Sequence, residues 1–272
     1  MTMLLPPSPV DHLVTHRRLV IEGSLLAGVV GVIPIPVVDD VLTGIARGRL
    51  FRRLADRRQV DLDRSAILVL CEDRQTTMLR NATLAALTLV LARYWRRVFP
   101  VLAVGRRVDE MVHTFQMGTL FDHYCARHHV GAAVKGADAA RLRFAMDRVQ
   151  ESLHRELVGR VFERAAGRAA LGLKGAPRAL GRLFRRGPAA ATEDEVLDEV
   201  AANLSDEGFL RKTARVVDEE LGAAGATYLR ELVDRFDAVW AEVKAQAEAA
   251  AAGPPPAGPL PGDPPPAGGS AS

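Results

Sequence analysis

"GVVGVIPIPVVDD", Gly28 to Asp40, places two glycines and two prolines inside an apolar run and closes it on two carboxylates. Neither Pro34 nor Pro36 can donate the backbone hydrogen bond that a helix interior needs, so a helix entering from the N-terminal side has to end here. The stretch is predicted to join two helices, one from about Val10 to Ile33 and the other from about Val37 to Arg58. Asp39 and Asp40 fall in the first turn of the second, where exposed amides and the helix dipole favour negative charge. Upstream, Gly23, Ala27 and Gly31 recur every four residues, share one helix face and let another backbone approach closely. Such faces pair helices in membranes and in protein cores alike, and the spacing leaves both open.

The rest of the 272 residues extends this helical reading. At 48% hydrophobic and 25% charged, the composition is that of a globular chain with enough material for a sizeable core. Ala, Leu, Arg and Glu dominate and period-two alternation is scarce, so the expected class is all-α, a helical bundle. The short run "SAILVLC" (Ser65 to Cys71) is also assigned to helix, within an element from Asp63 to Arg97. Pro100 and Gly105 are expected to punctuate the chain before another helix that runs through Arg127. After "GAAVKGAD" (Gly131 to Asp138) comes one amphipathic stretch, Ala139 to about Leu173.

Between Arg155 and Arg186, nine basic residues face only Glu156 and Glu163, and then the sign flips: "TEDEVLDEVAANLSDEG" carries seven carboxylates and no base. Thr192 and Glu195 fit a capping box, and helices are expected over Glu193 to Asn203 and Asp206 to Ala251. The resulting organisation is a flexible N-terminus (1–9), a helical unit with the apolar hairpin (10–130), a basic amphipathic helix and linker (131–188), acidic-to-mixed C-terminal helices (189–251) and a disordered Pro/Gly/Ala tail (252–272).

Leu19 to Val38 holds a single charge, Glu22, over twenty residues, just enough for a hydrocarbon core of about 30 Å if all of it were helix. The prolines argue that it is not. Ala82 to Ala92 is too short to cross alone, but "RYWRR", Arg93 to Arg97, follows it as aromatic and basic residues do at a membrane interface. Arginines flank both runs on both sides, and this symmetry favours segments that dip in and return, or that lie at the surface. Cys71 and Cys125 form no Cys-x-x-Cys pair, which suits a reducing compartment, and "MTMLLPPSPVDHLVTHRR" reads as no cleaved targeting peptide.

A small-rich apolar helix, "IPIPVVD" (Ile33 to Asp39) and a following helix with evenly spaced small and basic residues resemble the YcjF-like family, a helical domain of unknown function. A second stretch, "VFPVLAVGRRVDEMVHTFQMGTLFDHYC", resembles that family's proline-glycine turn and helix, with Pro100, Gly105, Thr114, Gly118 and Tyr124 in the corresponding places. The likeness covers about Leu19 to Cys125. It implies a bacterial, membrane-associated helical protein and brings no catalytic residues. The GTPase domain fused to some members is absent, since no G-x-x-x-x-G-K-[ST] loop occurs.

Little in the chain points to catalysis. There is no G-x-S-x-G elbow, and adjacent Asp39 and Asp40 diverge by about 100° on a helix. In "DHYCARHH", Cys125, His128 and His129 lie within about one turn and are weak metal-ligand candidates, with His113 or His123 as a fourth ligand if the fold returned it. The same histidines also suit a helix C-terminus. The basic segment, with Arg178, Arg182, Arg185 and Arg186, can lie on anionic lipid, pair with the acidic helix, or contact nucleic acid, for which it lacks a groove-reading motif. Arg93, Arg96 and Arg97 are further lipid or anion contacts. Hairpin packing is assigned to Gly23, Ala27, Gly31, Pro34, Pro36 and Asp39. The expectation is a non-enzymatic adaptor, structural or regulatory protein on the cytoplasmic side of a bacterial inner membrane, without a cofactor. A soluble cytoplasmic scaffold, or a nucleic-acid-associated protein whose apolar runs are core, is the alternative.

Overall fold

In a computed structural model, which describes residues 11–30, 36–71, 99–131, 133–153, 156–172 and 209–252, the chain is an all-α bundle. Helix α1 is Asp11–Val30 and α2 is Pro36–Arg58. Pro36 stands at the first helical position, where its missing N–H is no loss. The run "SAILVLC" lies in α3, Arg64–Cys71. Helix α4, Phe99–Arg127, passes through both Pro100 and Gly105 without a break. The expected interruption is absent because Pro100 sits in the first turn, where an amide has no intrahelical partner, and one glycine costs a helix only about 1 kcal/mol.

The predicted single stretch from Ala139 is two helices, α5 (Gly136–Ser152) and α6 (Glu156–Gly172). Leu153 ends α5 in an extended conformation (φ −105°, ψ 137°) with its side chain buried in the core. Helix α7, Phe209–Ala252, leaves helical geometry at Gly222. Residues 72–98, 173–208 and 253–272 lie outside the described residues, and with them the second apolar run, the capping box, the helix expected over 193–203 and the Pro-rich tail.

Helix α4 is central and packs against α1, α2, α5, α6 and α7. It runs antiparallel to α1: His12 meets His123, His16 meets Asp122, Val20 meets Gly118, and Gly28 meets Met111. α1 and α2 also pair antiparallel, with Gly23 against Leu50 and the His12 carbonyl against Arg58. The described part of the small-residue face, Gly23 and Ala27, is covered by protein. A Cβ on Gly28 would lie 2.4 Å from Met111 atoms, and one on Gly118 would lie 2.9 Å from Val20 Cγ1. Ala27, Ile21 and Leu25 are buried with Phe51, Phe115 and Phe121 in the core.

Among the described residues no helix is long and apolar enough to cross a membrane. The described part of the first apolar run packs on protein. Gly31 and Pro34, and the side chains of Pro36 and Asp39, lie outside the described residues.

Two further ties fix the frame. Buried Arg47 on α2 donates to Glu110 Oε1 (3.0 Å) and Thr114 Oγ1 (3.3 Å) on α4. The loop after α2 meets the loop before α5 through one parallel bridge between Leu62 and Val134, where Val134 N donates to Asp61 O (2.9 Å) and Asp63 N to Val134 O (3.2 Å).

Candidate functional site

At one end of the bundle the start of α1, the ends of α2 and α4, and the middle of α7 bring seven ionisable side chains together. Arg58, at the last position of α2, forks onto Asp122 of α4: Nε donates to Oδ1 and Nη2 to Oδ2, each at 2.8 Å. Nη2 also donates to the His12 carbonyl (2.8 Å), and His16 Nδ1 lies 2.9 Å from Asp122 Oδ1. Asp122 is 2% exposed and Arg58 17%. These bonds tie α1, α2 and α4 into one corner.

The neighbouring residue, His123, faces the other way. Its Nδ1 is 2.9 Å from His12 Nε2, and its Nε2 is 2.7 Å from Asp237 Oδ1 on α7. His128 Nε2 reaches the same Oδ1 at 2.6 Å. His128 arrives there because α4 widens as it ends: the amide of His128 makes an i→i−4 bond and that of His129 a longer i→i−5 bond, both to Tyr124 O at 2.9 Å. Burial grades outward, with His123 at 1%, His128 at 24% and Asp237 at 44% exposure. The rings of His123 and His128 pack on Phe236, which stacks on Trp240 at an interplanar angle of 6°.

Burial, then the neighbouring His123 and Arg58, push His12 down to about 4. His123 is also lowered by burial, against the opposing pull of Asp237. Burial raises Asp237, but hydrogen bonds from His123 and His128 outweigh it and hold the carboxyl below its ordinary range. One neutral assignment satisfies the chain: His12 Nε2–H donates to His123 Nδ1, and the Nε2–H groups of His123 and His128 both donate to Asp237. Such a string can pass a proton between half-buried His12 and the rim, and the same ring nitrogens are metal-ligand types.

Of the sequence candidates, His128 joins this cluster together with His123, which the sequence offered only as a fourth ligand returned by the fold. Cys125 is buried, and burial raises its thiol well above the ordinary range. The His129 ring lies beside Tyr124, with centroids 6.1 Å apart. Arg93, Arg96, Arg97, Arg178, Arg182, Arg185 and Arg186 lie outside the described residues. Thr114 and Gly118 are packing positions against α2 and α1, and Tyr124 packs edge-on to Trp240. Asp237, His12, His16 and the Arg58–Asp122 fork had no local signal, because their partners are 46 to 114 residues away. An open groove of about 310 Å³ starts at His128 and is lined also by Tyr124, Arg141, Trp240, Lys244 and Glu248. Comparison with protein-family models, curated proteins and solved structures finds no match.

Proposed function

We propose that this chain is a non-enzymatic helical adaptor or regulator whose first apolar run is core, and that it sits at the cytoplasmic face of a bacterial membrane peripherally. The observation that carries this reading is the seating of Gly23 on Leu50 and Gly28 on Met111. A face occupied by protein helices is not available to lipid. Attachment then falls to basic residues, with Arg93, Arg96, Arg97, Arg178, Arg182, Arg185 and Arg186 as the contacts, consistent with the resemblance to the YcjF-like family. Attraction of this kind is screened by salt, with a Debye length of about 3 Å at 1 M.

Sequential extraction of membranes tests it. The expected result is release by 1 M salt; retention through salt and through alkaline carbonate would show insertion and refute the peripheral reading. A chain recovered wholly in the supernatant at low salt would refute the membrane assignment and leave the scaffold alone.

A further inference from the structure

We propose that His123, His128 and Asp237 form a site for a divalent first-row transition metal ion, of the zinc type, that pins α7 to the C-terminal end of α4. Two imidazole nitrogens and one carboxylate oxygen converge there, all within 4.8 Å of one another. This donor set suits zinc, with a fourth position left for water. The inference is independent of the membrane reading.

Three features of the surroundings fit a metal. The ligands come from two helices far apart in sequence, so the ion would close a loop of chain rather than decorate one helix. Their burial is graded: His123 is enclosed in the core, whereas Asp237 stands half in solvent and gives the ion a way in. Behind His123, His12 Nε2 sits 2.9 Å from Nδ1, in the place where metal-bound histidines usually find a partner for their second nitrogen.

The observed spacings, 2.7 and 2.6 Å from Asp237 Oδ1 to the two nitrogens, are hydrogen-bond distances. Tetrahedral zinc with bonds of 2.0–2.1 Å sets its ligand atoms ~3.3 Å apart, so the ion requires an outward movement of ~0.6 Å. Rotation of the half-exposed Asp237 carboxylate supplies this for the oxygen, while the two imidazole nitrogens, which lie within 4.8 Å of each other, reach the same ~3.3 Å spacing by a turn of the part-exposed His128 ring.

Binding also inverts the hydrogen bonds. With Nε2 of His123 given to the metal, its Nδ1 must carry the proton and donate to His12 Nε2, which becomes an acceptor as the His12 proton moves to its own Nδ1. His128 likewise moves its proton to Nδ1. No proton is gained or lost by the rings.

The test uses the full chain, stripped of metal by chelator. Zn2+ is titrated in competition with a chromophoric chelator, and Co2+ is added separately to read tetrahedral absorption bands. The expected result is one ion per chain, with affinity reduced about ten- to a hundredfold in His12→Leu and further in Asp237→Asn and His128→Gln, while His129→Gln binds as the parent does. At a free Zn2+ concentration about a hundred times Kd, the melting temperature is expected to rise by roughly 5–10 °C.

Nitrogen-15 spectra of the unsubstituted chain are expected to move the His123 proton from Nε2 to Nδ1 on adding Zn2+. This readout stands even if a variant fails to fold. Absence of binding tighter than about 0.1 mM would overturn the proposal, as would binding unchanged in both Asp237→Asn and His128→Gln, or His123 keeping its Nε2 proton at saturating Zn2+. The cluster would then be a hydrogen-bonded relay only.

Discussion

Asp122→Asn removes one charge while keeping the shape of the side chain, and the structure fixes what that costs. Three donors, Arg58 Nε, Arg58 Nη2 and His16 Nδ1, converge on two carboxylate oxygens. In either orientation the asparagine amide points an NH2 at a donor, so the fork loses at least one charge-assisted bond and the guanidinium loses its counter-charge. Breaking a buried pair costs about 3–5 kcal/mol. Arg58 keeps some contact with water and its bond to the His12 carbonyl, which places the expected loss near the lower end, about 3 kcal/mol. At about 2–4 °C per kcal/mol for a domain of this size, the melting temperature falls by roughly 6–12 °C.

Urea unfolding followed by helical circular dichroism measures the loss, with an unchanged m-value required for the comparison. In an Arg58→Met background the same substitution should cost much less, because there is no cation to strand. A loss under about 1 kcal/mol in the otherwise unsubstituted chain, the range of solvent-exposed pairs, would refute the assignment of Asp122 as the anchor of this corner.

Two glycines should respond in opposite directions in the same assay. Gly28→Val forces a side chain against Met111 and is expected to destabilise by about 1–3 kcal/mol, whereas Gly159→Ala meets nothing within 4 Å in α6 and should stabilise by about 0.5–1 kcal/mol. Equal effects would mean that the α1–α4 contact is loose. Burial pushes the Cys71 thiol up to about 12 and raises Cys125 as well, so at pH 8 both stay thiols rather than the reactive thiolate. Both thiols should resist a disulfide reagent in the native chain and react promptly in denaturant; fast native labelling would show that one of them is open to solvent.

The helices were legible where composition and breakers agree. Pro34 and Pro36 announced the α1–α2 hairpin, and the Gly131 to Asp138 run announced the end of α4. Pro100 misled because a proline in a first turn and a proline in an interior look the same in a string of letters. Leu153 misled for the opposite reason, since an extended leucine filling the core carries no breaker signature. At the candidate site, three- and four-residue spacing gathers Cys125, His128 and His129 and leaves His123 as a fourth ligand only if the fold returns it. His123 and His128, five apart, share a site because the last turn of α4 widens into an i→i−5 bond at Tyr124 O. Asp237 could not have been found from spacing, since it is delivered by α7 from more than a hundred residues away.

The pairing of α1 with α4 is dry at one end and ionisable at the other. Sliding α1 by one turn, 5.4 Å, would move Gly28 off Met111 and Val20 off Gly118, yet still lay apolar surface on apolar surface. The same slide would carry His12 away from His123 and His16 away from Asp122 and leave their nitrogens facing nothing. The polar end therefore works as a vernier for the bundle: the greasy end sets the alignment coarsely through the fit at its glycines, and the histidine end sharpens it, because its hydrogen bonds are met in that alignment alone.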